Sequence, residues 1–81
     1  MRHLYTKKFL KELYSFPVGI QRKFEKQLRF LLKEIRYPSL RVKKIDEIRN
    51  IWQGRVDDSV RFYFTIDGDV YVFHGIKKHS D

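Results

Sequence analysis

The clearest periodicity in the chain lies between Val60 and Ile66. Val60, Phe62, Phe64 and Ile66 alternate with Arg61, Tyr63 and Thr65, the two-residue period of a strand with one buried face. Asp67-Gly68 follows and supplies a tight hairpin turn, because Gly takes positive φ without steric cost. Val70–Ile76 then carries apolar residues on both faces, the pattern of a strand covered on both sides. Ile51–Val56 reads as the strand before these two, closed by a turn at Asp57-Asp58-Ser59. Leu40–Ile45 sets Leu40 and Val42 against Arg41 and Lys43, as an edge strand guarded by Lys does. Asp46–Asn50 reads as a loop or a ragged strand end.

The N-terminal half changes period. Met1–Tyr5 alternates briefly and predicts a short first strand. Thr6 can cap a helix over Lys7–Phe16, where Phe9, Leu10, Leu13 and Phe16 recur at helical spacing. Pro17 ends that helix and opens the next. From Pro17 to Arg36, Ile20, Phe24, Leu28, Leu31, Leu32 and Ile35 follow a period near 3.6. Two helices joined at Phe16-Pro17 should form a hairpin packed on one sheet face. Tyr37-Pro38-Ser39 breaks the second helix, since proline disfavours helical geometry at the residue before it. The expectation is an α+β fold, β-α-α-β-β-β-β. It places an antiparallel meander sheet under an N-terminal helical hairpin, as one domain over residues 1–81.

Charge adds a direction. The net charge is +8. Residues 1–40 hold ten Lys/Arg and three acids, and residues 41–81 hold eight and seven, so the excess lies in the helical half. A small basic domain suits an anionic partner: nucleic acid, an acidic protein or a membrane surface. There is no cysteine, which excludes disulfides and thiolate metal sites and is compatible with a reducing cytosol. No apolar run approaches a membrane span, and no signal-peptide core opens the chain. The expected location is cytoplasmic.

The chemistry-bearing candidates lie on the sheet face away from the helices. Arg61, Tyr63 and Thr65 share that face, and Gln53 and Arg55 share a face of the neighbouring strand. Pairing across the turn brings Arg55 near Arg61. Two like charges side by side are unfavourable unless an anion lies between them. With Lys78 and His79 at the end of the last strand, these residues fit a phosphodiester. Guanidinium groups stabilise its oxygens, and His or Lys moves protons. For RNA the nucleophile is the substrate's own 2′-hydroxyl, so neither metal nor protein nucleophile is required. Each candidate also has a plainer reading. Arg on a strand pairs with an acid, and Asp57, Asp58 and Asp69 are available. His79 is solvated, and His74 is a satisfied, half-buried histidine. Trp52 belongs to the core, the Lys/Arg run of the helices is a solvated face, and Asp67-Gly68-Asp69 is a turn rather than a metal pair. No zinc spacing, phosphate-binding glycine loop or nucleophile triad is present.

Pro38-Ser39-Leu40-Arg41-Val42-Lys43-Lys44-Ile45, Ile51-Trp52-Gln53-Gly54-Arg55-Val56, Val60-Arg61-Phe62-Tyr63-Phe64 and Ile76-Lys77-Lys78-His79 occur in that order after a Phe-Pro break between two helices. In order and spacing the sequence resembles the RelE/ParE toxin superfamily over nearly its whole length. Resemblance to the RelE branch implies an mRNA interferase that cleaves messages in the ribosomal A site without metal or cofactor. It implies a cognate antitoxin, with ribosome and mRNA as the other partners. By the same resemblance Arg55 and Arg61 hold the scissile phosphate, and His79 or Lys78 protonates the leaving oxygen. Arg41, Lys43, Lys44, Gln53, Tyr63 and Lys77 are the expected RNA contacts. Position 53 is Gln where a basic residue can occur in the family, and Tyr63 or Tyr71 is left to stack a base. The ParE branch shares the scaffold and poisons DNA gyrase, and a degenerate toxin binds only its antitoxin. On the RNase reading, Arg61→Ala abolishes toxicity and leaves stability nearly unchanged.

Overall fold

The structure is a computed structural model and describes residues 1–79. Strand β1 (Arg2–Tyr5) leads into helices α1 (Lys7–Ser15) and α2 (Val18–Lys33). A 3-10 turn at Pro38–Leu40 follows, then strands β2 (Lys43–Asp46), β3 (Ile51–Arg55), β4 (Val60–Asp67) and β5 (Val70–Lys78). The sheet order is β1-β5-β4-β3-β2. The meander β2–β5 is antiparallel, as its short turns require. β1 joins β5 in parallel, and the helical hairpin carries the chain from β1 at one edge of the sheet to β2 at the other.

Local signals set most boundaries. Thr6 caps α1, its hydroxyl accepting from the Phe9 amide at 3.0 Å. The apolar stripes of both helices fall on the Phe62/Phe64 side of the sheet. There Phe9, Phe24, Phe62, Phe64 and Phe73 are fully buried, with ring centroids 5.2–5.8 Å apart in tilted, edge-on or offset pairs. Such rings contribute about 2–3 kcal/mol each on burial.

Three expectations need correction. The strand expected over Leu40–Ile45 starts only at Lys43. Leu40 closes the 3-10 turn as a fully buried core residue, and Arg41 takes the left-handed conformation at φ 44°. A left-handed residue cannot continue a strand. The second helix stops at Lys33 rather than Arg36, because Glu34 is extended. The hairpin closes on Asp67 and Val70, so the turn residues are Gly68-Asp69, with Gly68 at φ 60°.

The fourth difference organises the site. Tyr63 pairs with Gly75 but Phe64 pairs with Phe73, which leaves His74 as the extra residue of a β-bulge. Before the bulge Tyr71 and Phe73 face the helices; after it Ile76 does. Lys77, opposite Arg61, is thereby turned to the open face, and Lys78, opposite core-facing Val60, is turned away from it. The run read as apolar on both faces is thus an alternating strand that changes phase. His74 is exposed, not half-buried, and its Nε2 lies 2.8 Å from the Thr65 hydroxyl. On the far edge of β5, past the end of β1, the Ile76 amide donates to Glu12 of α1 at 3.3 Å.

Candidate functional site

The register between β3 and β4 sets Arg55 directly opposite Arg61. Their connection is rigid. The Asp57 carboxylate accepts from the Ser59 and Val60 amides, each at 2.8 Å. Partial burial pushes the Asp57 pKa up, but these two amides and Lys23 outweigh it and hold the carboxyl below its ordinary value. The Val56 amide reaches the Val60 carbonyl at 2.9 Å. Past Lys78 the His79 amide donates to the Ser59 carbonyl at 2.7 Å, which carries the last strand on to the same loop.

Arg41, Lys43, Gln53, Arg55, Asp58, Arg61 and His79 line one concavity of about 440 Å³ on the open face. Four guanidinium or ammonium groups meet one carboxylate there. Arg55 Nη1 lies 3.4 Å from Asp58 Oδ1, a weak pair because that carboxylate is solvent-exposed. Arg61 is different. It is only 6% exposed, and its Nη1 donates to the Asp57 and Val60 carbonyls at 2.6 and 3.2 Å. Among the described residues no carboxylate pairs with it. A guanidinium aimed by neutral carbonyls beside a second guanidinium keeps its charge uncompensated until an anion arrives.

The structure therefore gathers six of the expected residues: Arg41, Lys43, Gln53, Arg55, Arg61 and His79. It does not gather the other four. Lys78 faces the helix side. Lys44 lies over the Trp52 ring at 5.6 Å and pairs with Glu47 at 3.4 Å. Tyr63 and Lys77 line a neighbouring hollow with Lys8, Arg49 and His74, where Lys8, Lys77 and Arg49 already have acidic partners in Glu12 and Asp46. Trp52 is partly buried against Phe64.

Sequence reasoning missed Gln27. It is 7% exposed, donates from Nε2 to the Ser39 carbonyl at 3.0 Å and the Arg55 carbonyl at 2.8 Å, and accepts from the Ser39 hydroxyl at 3.1 Å. One side chain thus ties α2 to the turn that carries Arg41 and to the strand that carries Arg55. The signal was present: Gln27 sits with Phe24, Leu28 and Leu31 on the buried stripe of α2, where a polar residue needs partners. Among the described residues no group of three or more His, Cys, Asp or Glu could hold a metal, and no helix is long and apolar enough to cross a membrane.

No protein-family model and no curated protein sequence matches the chain. Solved structures do. A YoeB/ParE toxin from Agrobacterium tumefaciens superposes with a TM-score of 0.81 at 12% identity, covering 99% of this chain and 100% of that one. The toxin in an archaeal RelE–RelB complex from Pyrococcus horikoshii gives 0.71 at 22% identity over 95% and 92%. A YafQ mutant from E. coli gives 0.67 at 13% identity over 98% and 94%. With TM-scores of 0.67–0.81 over 95–99% of the chain, this protein has the fold of these YoeB/ParE, RelE and YafQ structures.

Proposed function

We propose that this chain is the toxin of a type II toxin–antitoxin pair and acts as a ribosome-dependent mRNA endonuclease. The observation that carries this reading is the Arg55–Arg61 cross-strand pair, with Arg61 lacking a carboxylate, in one concavity with Arg41, Lys43 and His79. A phosphodiester placed there brings its own nucleophile. The 2′-hydroxyl attacks the adjacent phosphorus, the bond to the 5′-oxygen breaks, and a cyclic phosphate and a 5′-hydroxyl result. Arg61 and Arg55 stabilise the charge that develops on the non-bridging oxygens. His79 lines the concavity and Lys78 does not, so His79 is the group to protonate the leaving oxygen. The RelE–RelB and YoeB–YefM structures are complexes of toxin with antitoxin. A corresponding acidic or amphipathic partner would cover the basic surface of this chain.

Arg61→Ala should abolish message cleavage, but not without structural effect. Losing two hydrogen bonds to the loop costs about 1–3 kcal/mol, which corrects the expectation of unchanged stability. His79→Ala is the cleaner variant, because its side chain is exposed. Message cleavage in cells that falls by orders of magnitude in His79→Ala, with an unchanged melting temperature, supports the assignment. Full cleavage in both variants refutes it. Growth arrest with gyrase-linked DNA breaks and intact messages would place the chain with the gyrase poisons.

A further inference from the structure

The phosphate concavity does not end at Arg41 and Arg55. Both residues also line a second hollow of about 420 Å³, on the side where β3 meets α2, with Lys23, Lys26, Asp57 and Asp58. Lys23 is matched by Asp57 at 3.5 Å, and Asp58 by Arg55. Arg41 and Lys26 have no carboxylate partner among the described residues. Arg41 stands between the two hollows on its left-handed turn, held in place through the Gln27–Ser39 contacts.

From Lys26 the charge continues along α2. Arg22, Lys26, Arg29 and Lys33 fall at i, i+4, i+7 and i+11, one stripe of the helix, and all four are exposed. None has an acidic partner among the described residues; Lys26 Nζ lies 6.0 Å from the Phe30 ring centre. The stripe is about 16 Å long, with neighbouring side chains about 5–6 Å apart. Like charges at this spacing destabilise a helix by a few tenths of a kcal/mol per pair. A helix with Glu25 as its one acid therefore carries a charge pattern that its own stability disfavours and that a polyanion relieves.

We propose that this surface is a second RNA-backbone subsite: a single strand held at Arg55 and Arg61 turns the sheet edge at Arg41 and runs along the Lys26 stripe. The proposal rests on the reading of the substrate as RNA. Flexible, exposed Lys and Arg bind phosphates as charges without reading bases, so this track supplies affinity and strand direction, while the open face supplies chemistry.

The test is binding of the full chain to 2′-O-methyl RNA, which lacks the 2′-hydroxyl and so stays intact, measured by fluorescence anisotropy against salt. The probes are a dinucleotide and a longer single strand. Each lost phosphate contact lowers the slope of log K against log salt by about 0.7. Lys26→Ala should lower it by about 0.7 for the longer strand, and the triple variant Arg22→Ala, Lys26→Ala, Arg29→Ala by about 2. Dinucleotide binding should not change. Intact Trp52 fluorescence confirms that the variants are folded. An unchanged slope for the longer strand overturns the proposal, as does an equal loss for the dinucleotide. So does a triple variant that binds RNA normally but has lost affinity for polyglutamate, which would make the surface a protein-docking site. Cleavage by His79→Ala tests the catalytic reading separately from this slope. Wild-type protein that fails to bind the longer strand overturns the track alone.

Discussion

Gly54→Ala sets two general rules against each other. Glycine in a strand is ordinarily unfavourable, by about 0.5–1 kcal/mol relative to alanine, so chain entropy alone predicts a gain in stability. The packing predicts a loss. Gly54 pairs with Phe62 across the sheet, and the phenyl ring lies over the glycine. A methyl group there would meet Phe62 Cζ head-on and come within 2.8 Å of Cε1 and Cε2, far inside van der Waals contact. The ring has nowhere to go, being fully buried with Phe24, Phe64 and Phe73 around it at 5.5–5.8 Å. Overpacking of this kind costs about 1–3 kcal/mol. After subtracting the entropic gain, about 0.5–2 kcal/mol of destabilisation remains, or about 3–15 °C in melting temperature for a domain of this size. Urea unfolding followed by the fluorescence of the single tryptophan, Trp52, measures it. Phe62→Leu should remove the clash, so that Gly54→Ala in that background becomes neutral or stabilising, a coupling of at least about 1 kcal/mol. If Gly54→Ala stabilises the otherwise wild-type protein, the ring is not confined as argued.

Further outcomes follow from the same structure. Gln27→Ala removes three buried hydrogen bonds and should lower stability by about 2–4 kcal/mol; a change below about 1 kcal/mol in urea unfolding would show that the tie between α2, Ser39 and Arg55 carries nothing. Asp57 titrates below its ordinary value in the folded state, so its contribution is present above about pH 4 and lost as pH falls through the lowered folded value. The stability deficit of Asp57→Ala relative to wild type should therefore be full at pH 7 and shrink in acid; a deficit independent of pH would contradict the loop geometry. Deleting His74 should remove the bulge and leave Gly75, Ile76 and Lys77 opposite Tyr63, Phe62 and Arg61, so that His79 keeps its face and cleavage persists; loss of cleavage in a folded His74 deletion would contradict this register.

The two periods in the sequence carried most of the fold. The 3.6 spacing of Phe24, Leu28 and Leu31 and the alternation of Val60 to Ile66 name the core face of each element, and the buried residues lie on those faces. The Arg55–Arg61 pairing followed from one short turn. What periodicity could not reveal was a change of phase. Tyr71-Val72-Phe73-His74-Gly75-Ile76 reads as apolar on both sides because a bulge inverts the alternation midway, and with it the choice between Lys78 and His79. Backbone conformation was hidden for the same reason. Nothing in Leu40-Arg41-Val42 announces that Arg41 is left-handed, since the cause is tertiary: the buried Leu40 and the Gln27–Ser39 contacts hold the turn in place. Asp58 was legible as a partner for a strand arginine and is found beside Arg55.

The central claim is that the open-face guanidinium pair acts on messenger RNA. The most direct measurement is transcriptome-wide mapping of RNA 5′ ends after brief induction of the wild-type chain and of His79→Ala in bacteria. New ends in phase with codons, confined to translated messages and absent with His79→Ala, are the predicted result. Growth arrest with no new ends, or the same ends from both proteins, would contradict it.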